Sequence, residues 1–261
     1  MRLLRTIGAA FGLYSRIPVP HFEWEEDDMK YGMAAFPLVG AVIGAVFFAV
    51  FRLCAHFEVP SAAAALILTA VPLIITGGFH ADGFMDVSDA VSSFKSKEEK
   101  LAILKDPHIG AFAVIRLAIC GLIYIASLII VLDSGMAEGL MISIALGFML
   151  ARGMSAVSVL TFRSAKKEGM LYNEAESAAD GRRVNLVFAF LFIAASAMAM
   201  TWFAWPAGIG TVIAAVLIFA WYKHLSYKEF GGITGDTAGY FVVVCEAAIA
   251  AGAAVCALIA G

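Results

Sequence analysis

Apolar residues in this chain come in long blocks, and the charges gather in the shorter segments between them. The stretches 34–51 and 59–79 are uncharged, while 109–132 contains only Arg116, 139–162 only Arg152 and 237–261 only Glu246. One bilayer crossing takes about 20 mostly apolar residues. The uncharged block 184–222 has about twice that length. Trp202, Trp205 and Pro206 near its middle mark a tight turn between two helices, as interfacial aromatics and a helix breaker do. The pattern predicts an all-α, polytopic membrane helix bundle of about seven transmembrane helices, near 34–56, 59–79, 109–132, 138–162, 184–203, 205–222 and 237–260. Residues 1–17 read as an amphipathic segment in the interface, ended by Pro18 and Pro20. Arg16 interrupts the segment and no small-residue cleavage site follows, unlike a signal peptide. With no internal repeat or separate soluble stretch, 1–261 is expected to form a single integral membrane domain.

Composition supports lipid as the solvent. Of 261 residues, 62% are hydrophobic and 15% charged, and mean hydropathy is +0.89, against about 45–50% apolar and about 25% charged in soluble domains. A net charge of −3 argues against nucleic acid as a partner, which calls for a basic face. Cys54, Cys120, Cys245 and Cys256 lie far apart in apolar stretches and read as small buried hydrophobes.

Charge asymmetry sets the expected orientation. Arg2, Arg5, Arg16 and Lys30, then Lys95, Lys97, Lys100 and Lys105, then Arg163, Lys166, Lys167, Arg182 and Arg183, then Lys223 and Lys228 all fall on one side. Arg52 alone falls on the other, a ratio of fifteen to one. This places the N-terminus in the cytoplasm and, after an odd number of crossings, the C-terminus outside.

The chemistry concentrates in Thr76-Gly-Gly-Phe-His-Ala-Asp-Gly-Phe-Met-Asp-Val-Ser-Asp-Ala90. Asp82, Asp86 and Asp89 are spaced i, i+4, i+7, so a helix puts all three on one face. Carboxylates so close repel unless a cation or protons neutralise them. Hard oxygen ligands of this kind suit Mg²⁺ or Mn²⁺, whereas a solvated acidic helix end is the plainer reading. The cluster follows a span directly, where ionisable groups usually face the bundle interior or a wet cavity. His80 fits a general base, a metal neighbour or a hydrogen-bonded interfacial histidine, and His108 is equally open. Lys105-Asp106-Pro-His-Ile-Gly110 closes the following loop. Gly231-Gly-Ile-Thr-Gly235-Asp236-Thr237 opens the last span, with glycines that allow close approach and helix-start amides that suit an anion. Asp236 is either part of the site or a plain N-cap. Arg152 is costly inside a span and is expected to pair with one of the aspartates or to meet a bound diphosphate. Glu246 is placed to point into the bundle. Arg182 and Arg183 form a basic turn suited to phosphate or lipid headgroups, with topology anchoring favoured for Arg183. The run Glu23, Glu25, Glu26, Asp27, Asp28 reads as a solvated face.

At these motifs the chain resembles the cobalamin synthase family, adenosylcobinamide-GDP ribazoletransferase. The matching strings are Arg16-Ile-Pro-Val-Pro20, Phe36-Pro-Leu-Val-Gly40, Thr76-Gly-Gly-Phe-His-Ala-Asp-Gly and Asp86-Val-Ser-Asp-Ala90. Lys105-Asp-Pro-His-Ile-Gly110, Ala151-Arg-Gly and Gly232-Ile-Thr-Gly-Asp-Thr237 match as well, so the resemblance runs through essentially the whole chain. Phe79, Phe84 and Met85 depart from the family pattern by apolar exchanges that leave the carboxylates untouched. The resemblance implies a Mg²⁺-dependent enzyme of the inner membrane with its site facing the cytoplasm. It implies transfer of the adenosylcobinamide phosphate from adenosylcobinamide-GDP to α-ribazole or its 5′-phosphate, with release of GMP. The expected partners are these substrates, the lipid bilayer, further copies of the chain and other corrinoid-assembly enzymes. The expected site comprises Asp82, Asp86, Asp89 and His80 in catalysis. Asp82, Asp86, Asp89 and Asp236 are the expected metal ligands. Gly78, Gly83, Lys105, Asp106, Arg152, Arg182 and Gly235 are expected to contact substrate. A head-group enzyme like the CDP-alcohol phosphotransferases and a transporter subunit are the alternatives.

Overall fold

The computed structural model describes residues 2–20 and 29–260. The acidic run from Glu23 to Asp28 lies outside the described residues. Among them the chain forms eleven helices and no strand: α1 (Arg2–Tyr14), α2 (Gly32–His56), α3 (Ser61–Thr76), α4 (Phe79–Ser92), α5 (Lys97–Ile103), α6 (Ala111–Leu132), α7 (Ala137–Thr161), α8 (Met170–Ser177), α9 (Arg182–Phe203), α10 (Ala207–Glu229) and α11 (Gly235–Ala260). Helices α2, α6, α7, α9, α10 and α11 are each long and apolar enough to cross a bilayer, and α3 with α4 gives a seventh candidate broken by a 96° bend.

Helix α7 forms the centre of the bundle and is buried without interruption from Leu150 to Leu160. Its closest neighbour, α2, can approach because Gly40 and Gly44 lack side chains. A Cβ at Gly40 would strike the Phe148 carbonyl, and one at Gly44 the Ala145 carbonyl. Such glycine pairs, four residues apart, let helix backbones meet in lipid, where hydrophobicity does not hold helices together. On the opposite flank Tyr222 of α10 stacks on Phe241 of α11 with ring centroids 4.8 Å apart. Ile119, Leu122, Leu191 and Leu217 face outward from α6, α9 and α10, as a lipid-facing surface requires. The block 184–222 divides as its aromatics predict, with α9 ending at Phe203 and α10 starting at Ala207.

The corner between α3 and α4 positions the candidate site. Gly77 (φ 64°) and Gly78 (φ 80°) are both left-handed, a conformation that costs glycine little. They end the apolar helix α3 and turn the chain by 96° into the more polar α4. The chain after α1 pins this corner: the Arg16 amide donates to the Ile75 carbonyl at 2.7 Å, and the Arg16 side chain occupies the space a Cβ on Gly77 would need. The four cysteines are free.

Candidate active site

Helix α4 has two chemically opposite faces. His80, Phe84, Val87 and Ser88 are buried, while Asp82 is exposed and Asp86 and Asp89 are half-buried. The face with the three aspartates meets the start of α11, because Gly83 lets α4 settle on the Asp236 backbone; a Cβ there would stand 2.9 Å from the Asp236 carbonyl oxygen. A side chain at Gly110 would collide with the Asp89 carboxylate, so the loop beginning at Lys105 closes over the far end of the same face.

The electrostatics match the crowding. Partial burial, and then the charges of Asp82, Asp236 and Asp89, push the Asp86 carboxyl up to about 6. The donor set is all carboxylate, which is the chemistry a hard divalent cation prefers. Among the described residues, no three His, Cys, Asp or Glu side chains already converge as a metal-ligand group. The four aspartates fit such an ion in chemical kind, and seating it would require their side chains to draw together.

The cleft in front of Asp82 and Asp236 has a volume of about 200 Å³ and is also lined by Ser164, Lys166, Tyr172, Thr234 and Gly235. Its wall is stitched by backbone bonds. The Ile233 amide donates to the Arg163 carbonyl at 2.9 Å, and the Ala165 amide donates to the Ile233 carbonyl at 2.8 Å. The Arg163 guanidinium donates to the Gly231 carbonyl at 2.6 Å. This brace delivers Lys166 to the acidic cleft, where burial lowers its ammonium pKa and the nearby Lys105 charge adds to that, against the pull of Asp236 and Glu168. Sequence reasoning counted Lys166 only as topological charge, and nothing in its spacing set it apart from Lys167.

Two expectations are corrected. The N-cap of α11 is Thr234, whose hydroxyl accepts from the Thr237 amide at 3.2 Å, while the Thr234 amide donates to the Thr237 hydroxyl at 2.8 Å. Asp236 is therefore not the cap. Arg152 does not pair with an aspartate: its guanidinium donates to Glu246 Oε1 at 2.7 Å, and Arg152 does not line the acidic cleft. Glu246 does point into the bundle, and its reach from the last helix was invisible in spacing alone.

The remaining predicted residues are dispersed. Gly83 and Gly235 lie at the cleft, and Gly78 forms the corner. Lys105 is on the exposed rim, bonded to Glu168 at 2.8 Å, and Asp106 holds His108 Nδ1 at 2.6 Å. Arg182 is exposed at the start of α9, outside the cleft lining. His80 points away from the carboxylates into the bundle, its ring 5.9 Å from Phe36.

Tyr14 and Glu174, which sequence reasoning also missed, join α1 to α8 beside the cleft. The Tyr14 hydroxyl donates to Glu174 Oε1 at 2.6 Å, and burial pushes the Glu174 carboxyl up to about 7.

Fold and site together define a multi-pass membrane helix bundle with an aspartate-lined cleft at one end. Residues 6–254 match the family model described as cobalamin-5-phosphate synthase, and the chain belongs to that family. It is 40% identical over 247 residues to an adenosylcobinamide-GDP ribazoletransferase of Lachnoclostridium phytofermentans, covering 94% of this chain and 92% of that protein. A protein of the same name from Clostridium perfringens is 32% identical, with 93% and 94% covered. One from Geobacillus kaustophilus is 33% identical, with 89% and 88% covered. No solved structure matches the chain. The family match selects the ribazoletransferase reading over the head-group enzyme and the transporter.

Proposed function

We propose that this protein transfers the adenosylcobinamide phosphate of adenosylcobinamide-GDP to α-ribazole or α-ribazole 5′-phosphate, using Mg²⁺, in the cleft between α4 and the start of α11. The observation that carries the proposal is the face of Asp82, Asp86 and Asp89 turned toward Asp236 in a chain that matches the family over residues 6–254. In the reaction an acceptor hydroxyl oxygen forms a bond to the phosphorus next to the corrinoid, the bond from that phosphorus to the GMP oxygen breaks, and the hydroxyl proton passes to a carboxylate of the cluster. Bound Mg²⁺ supplies neutralisation of the departing phosphate. Lys166 contributes a fixed positive charge beside the diphosphate, Gly235 leaves room for it, and Lys105 and Asp106 line its approach. Such phosphoryl transfer is catalysed almost entirely by positioning donor and acceptor in line and by electrostatic stabilisation.

The fifteen-to-one distribution of basic residues supports a cytoplasmic cleft in the inner membrane. The test is a measurement of GMP release by purified protein given the GDP-activated corrinoid, ribazole phosphate and Mg²⁺. Release that needs both substrates and the metal supports the reading, and turnover of CDP-diacylglycerol instead rejects it.

A further inference from the structure

The cleft in front of Asp82 and Asp236 is too small for the molecules that the transferase reading brings to it. Its volume is about 200 Å³, whereas sites that enclose a drug-sized ligand run to roughly 300–1,000 Å³. A donor that carries a corrinoid on a nucleoside diphosphate is larger still, so a wall of the cleft has to move. Gly169, Met170, Leu171 and Tyr172 form one wall, and they are the first turn of α8 and the glycine before it.

The chain is fixed on both sides of α8 and lightly held between. Upstream, the Ala165 amide is bonded to Ile233, and the Lys166 ammonium donates to the Leu101 carbonyl at 3.2 Å. Downstream, the Asn185 side chain at the start of α9 donates to the Lys30 carbonyl at 2.9 Å and accepts from the Ala34 amide at 3.0 Å. Helix α8 itself is eight residues long and buries Leu171 and Glu174. A helix with so little buried apolar surface belongs to the part of a fold that opens locally. Gly169 precedes it at φ 97°, with nothing within 4 Å of where a Cβ would stand, and so offers a free pivot. The segment is fastened on two sides. On its inner face Glu174 accepts from the Tyr14 hydroxyl at 2.6 Å, and at the rim Glu168 meets Lys105 at 2.8 Å.

We infer that the segment from Glu168 to Ala178 is a lid on the acidic cleft, latched by Tyr14 and Lys105, that lifts about Gly169 to admit the activated donor. The inference rests on the transferase reading for the ligand that needs the room, but its test does not require turnover. Tyr14 stands two residues before Arg16, whose amide pins the α3–α4 corner through the Ile75 carbonyl. The latch therefore seats α8 on the stretch of chain that fixes α4, and the closed lid is held in register with the aspartate face.

The test uses full-length protein without its native cysteines. Leu171 is 5% exposed beneath the lid, so the rate at which a water-soluble maleimide alkylates Leu171→Cys reports lid opening. Adding Tyr14→Phe or Glu168→Gln should raise that rate several-fold, while Leu150→Cys, in the bundle centre, stays unlabelled in every background. In a second arm, Lys105→Cys with Glu168→Cys is bridged by a reducible bis-thiosulfonate, and binding of the GDP-activated corrinoid is measured by equilibrium dialysis. Binding should fall at least tenfold on bridging, return on reduction, and survive capping of both cysteines with the monofunctional reagent. Unchanged alkylation of Leu171→Cys in both latch variants, or full donor binding by the bridged protein, overturns the lid. A parent that binds no donor rejects the transferase reading instead, and the alkylation rates then decide the lid alone.

Discussion

The Arg152 guanidinium on α7 and the Glu246 carboxylate on α11 meet at 2.7 Å and fasten the buried centre of the bundle to its last span. Arg152 is 1% exposed, so neither charge can turn to water when its partner is lost. Removing one partner of a buried pair typically costs about 3–5 kcal/mol, whereas replacing both by apolar groups can be close to neutral. Glu246→Leu should therefore lower the thermal midpoint in detergent sharply, and Arg152→Met with Glu246→Leu should recover most of it. A double variant no more stable than Glu246→Leu would show that the pair is not the source of the loss.

Burial of Glu174 makes the α1–α8 junction sensitive to pH, and the Tyr14 hydrogen bond offsets only part of the shift. The Glu174 carboxyl sits at about 7 in the fold against an ordinary value of 4.5, so the folded state holds its proton where the unfolded chain releases it. Its contribution is complete below the unfolded value and declines as pH rises through about 7, a span on the order of 3 kcal/mol. The thermal midpoint should accordingly fall between pH 5 and 8, for this group, and Glu174→Gln should flatten that slope. Parallel slopes in parent and variant would contradict the assignment.

Legibility in the sequence followed the range of each interaction. Long apolar blocks are local, so the spans and the turn at Trp205 were readable, as was the shared face of Asp82, Asp86 and Asp89. Which residues meet across helices was not. Arg152 looked like a partner for an aspartate because nothing in spacing brings Glu246 alongside it. Lys166 became distinctive only when Arg163 and Ala165 paired with Gly231 and Ile233. His80 stands two residues before Asp82, and that short separation concealed that the two side chains leave α4 on opposite faces.

The capping pair at α11 separates folding from metal use. Thr234→Ala removes the cap and should cost about 1 kcal/mol of stability. Asp236→Asn leaves the Thr234–Thr237 bonds in place, so stability should hold while the Mg²⁺ concentration for half-maximal GMP release rises several-fold. A Mg²⁺ titration matching the parent's would remove Asp236 from the site.

Orientation is open to single-cysteine labelling in a background without the four native cysteines. Cysteines at Lys97 and Lys166 should react from the cytoplasmic side, and one at Ser134, in the turn between α6 and α7, from the opposite side. Labelling of Lys97 and Ser134 from the same side would overturn the seven-crossing arrangement.

The most direct test of the account is the rate of GMP release by Asp86→Asn with saturating Mg²⁺ and both substrates. Asp86 is the carboxyl on which Asp82, Asp89 and Asp236 all act, and Asn preserves its size while removing the ligand charge. The rate should fall at least about a hundredfold, consistent with the loss of a group acting on transition-state charge, at an unchanged thermal midpoint and with membrane insertion intact. Parent-like GMP release by Asp86→Asn would contradict the claim that the transfer takes place at this aspartate face.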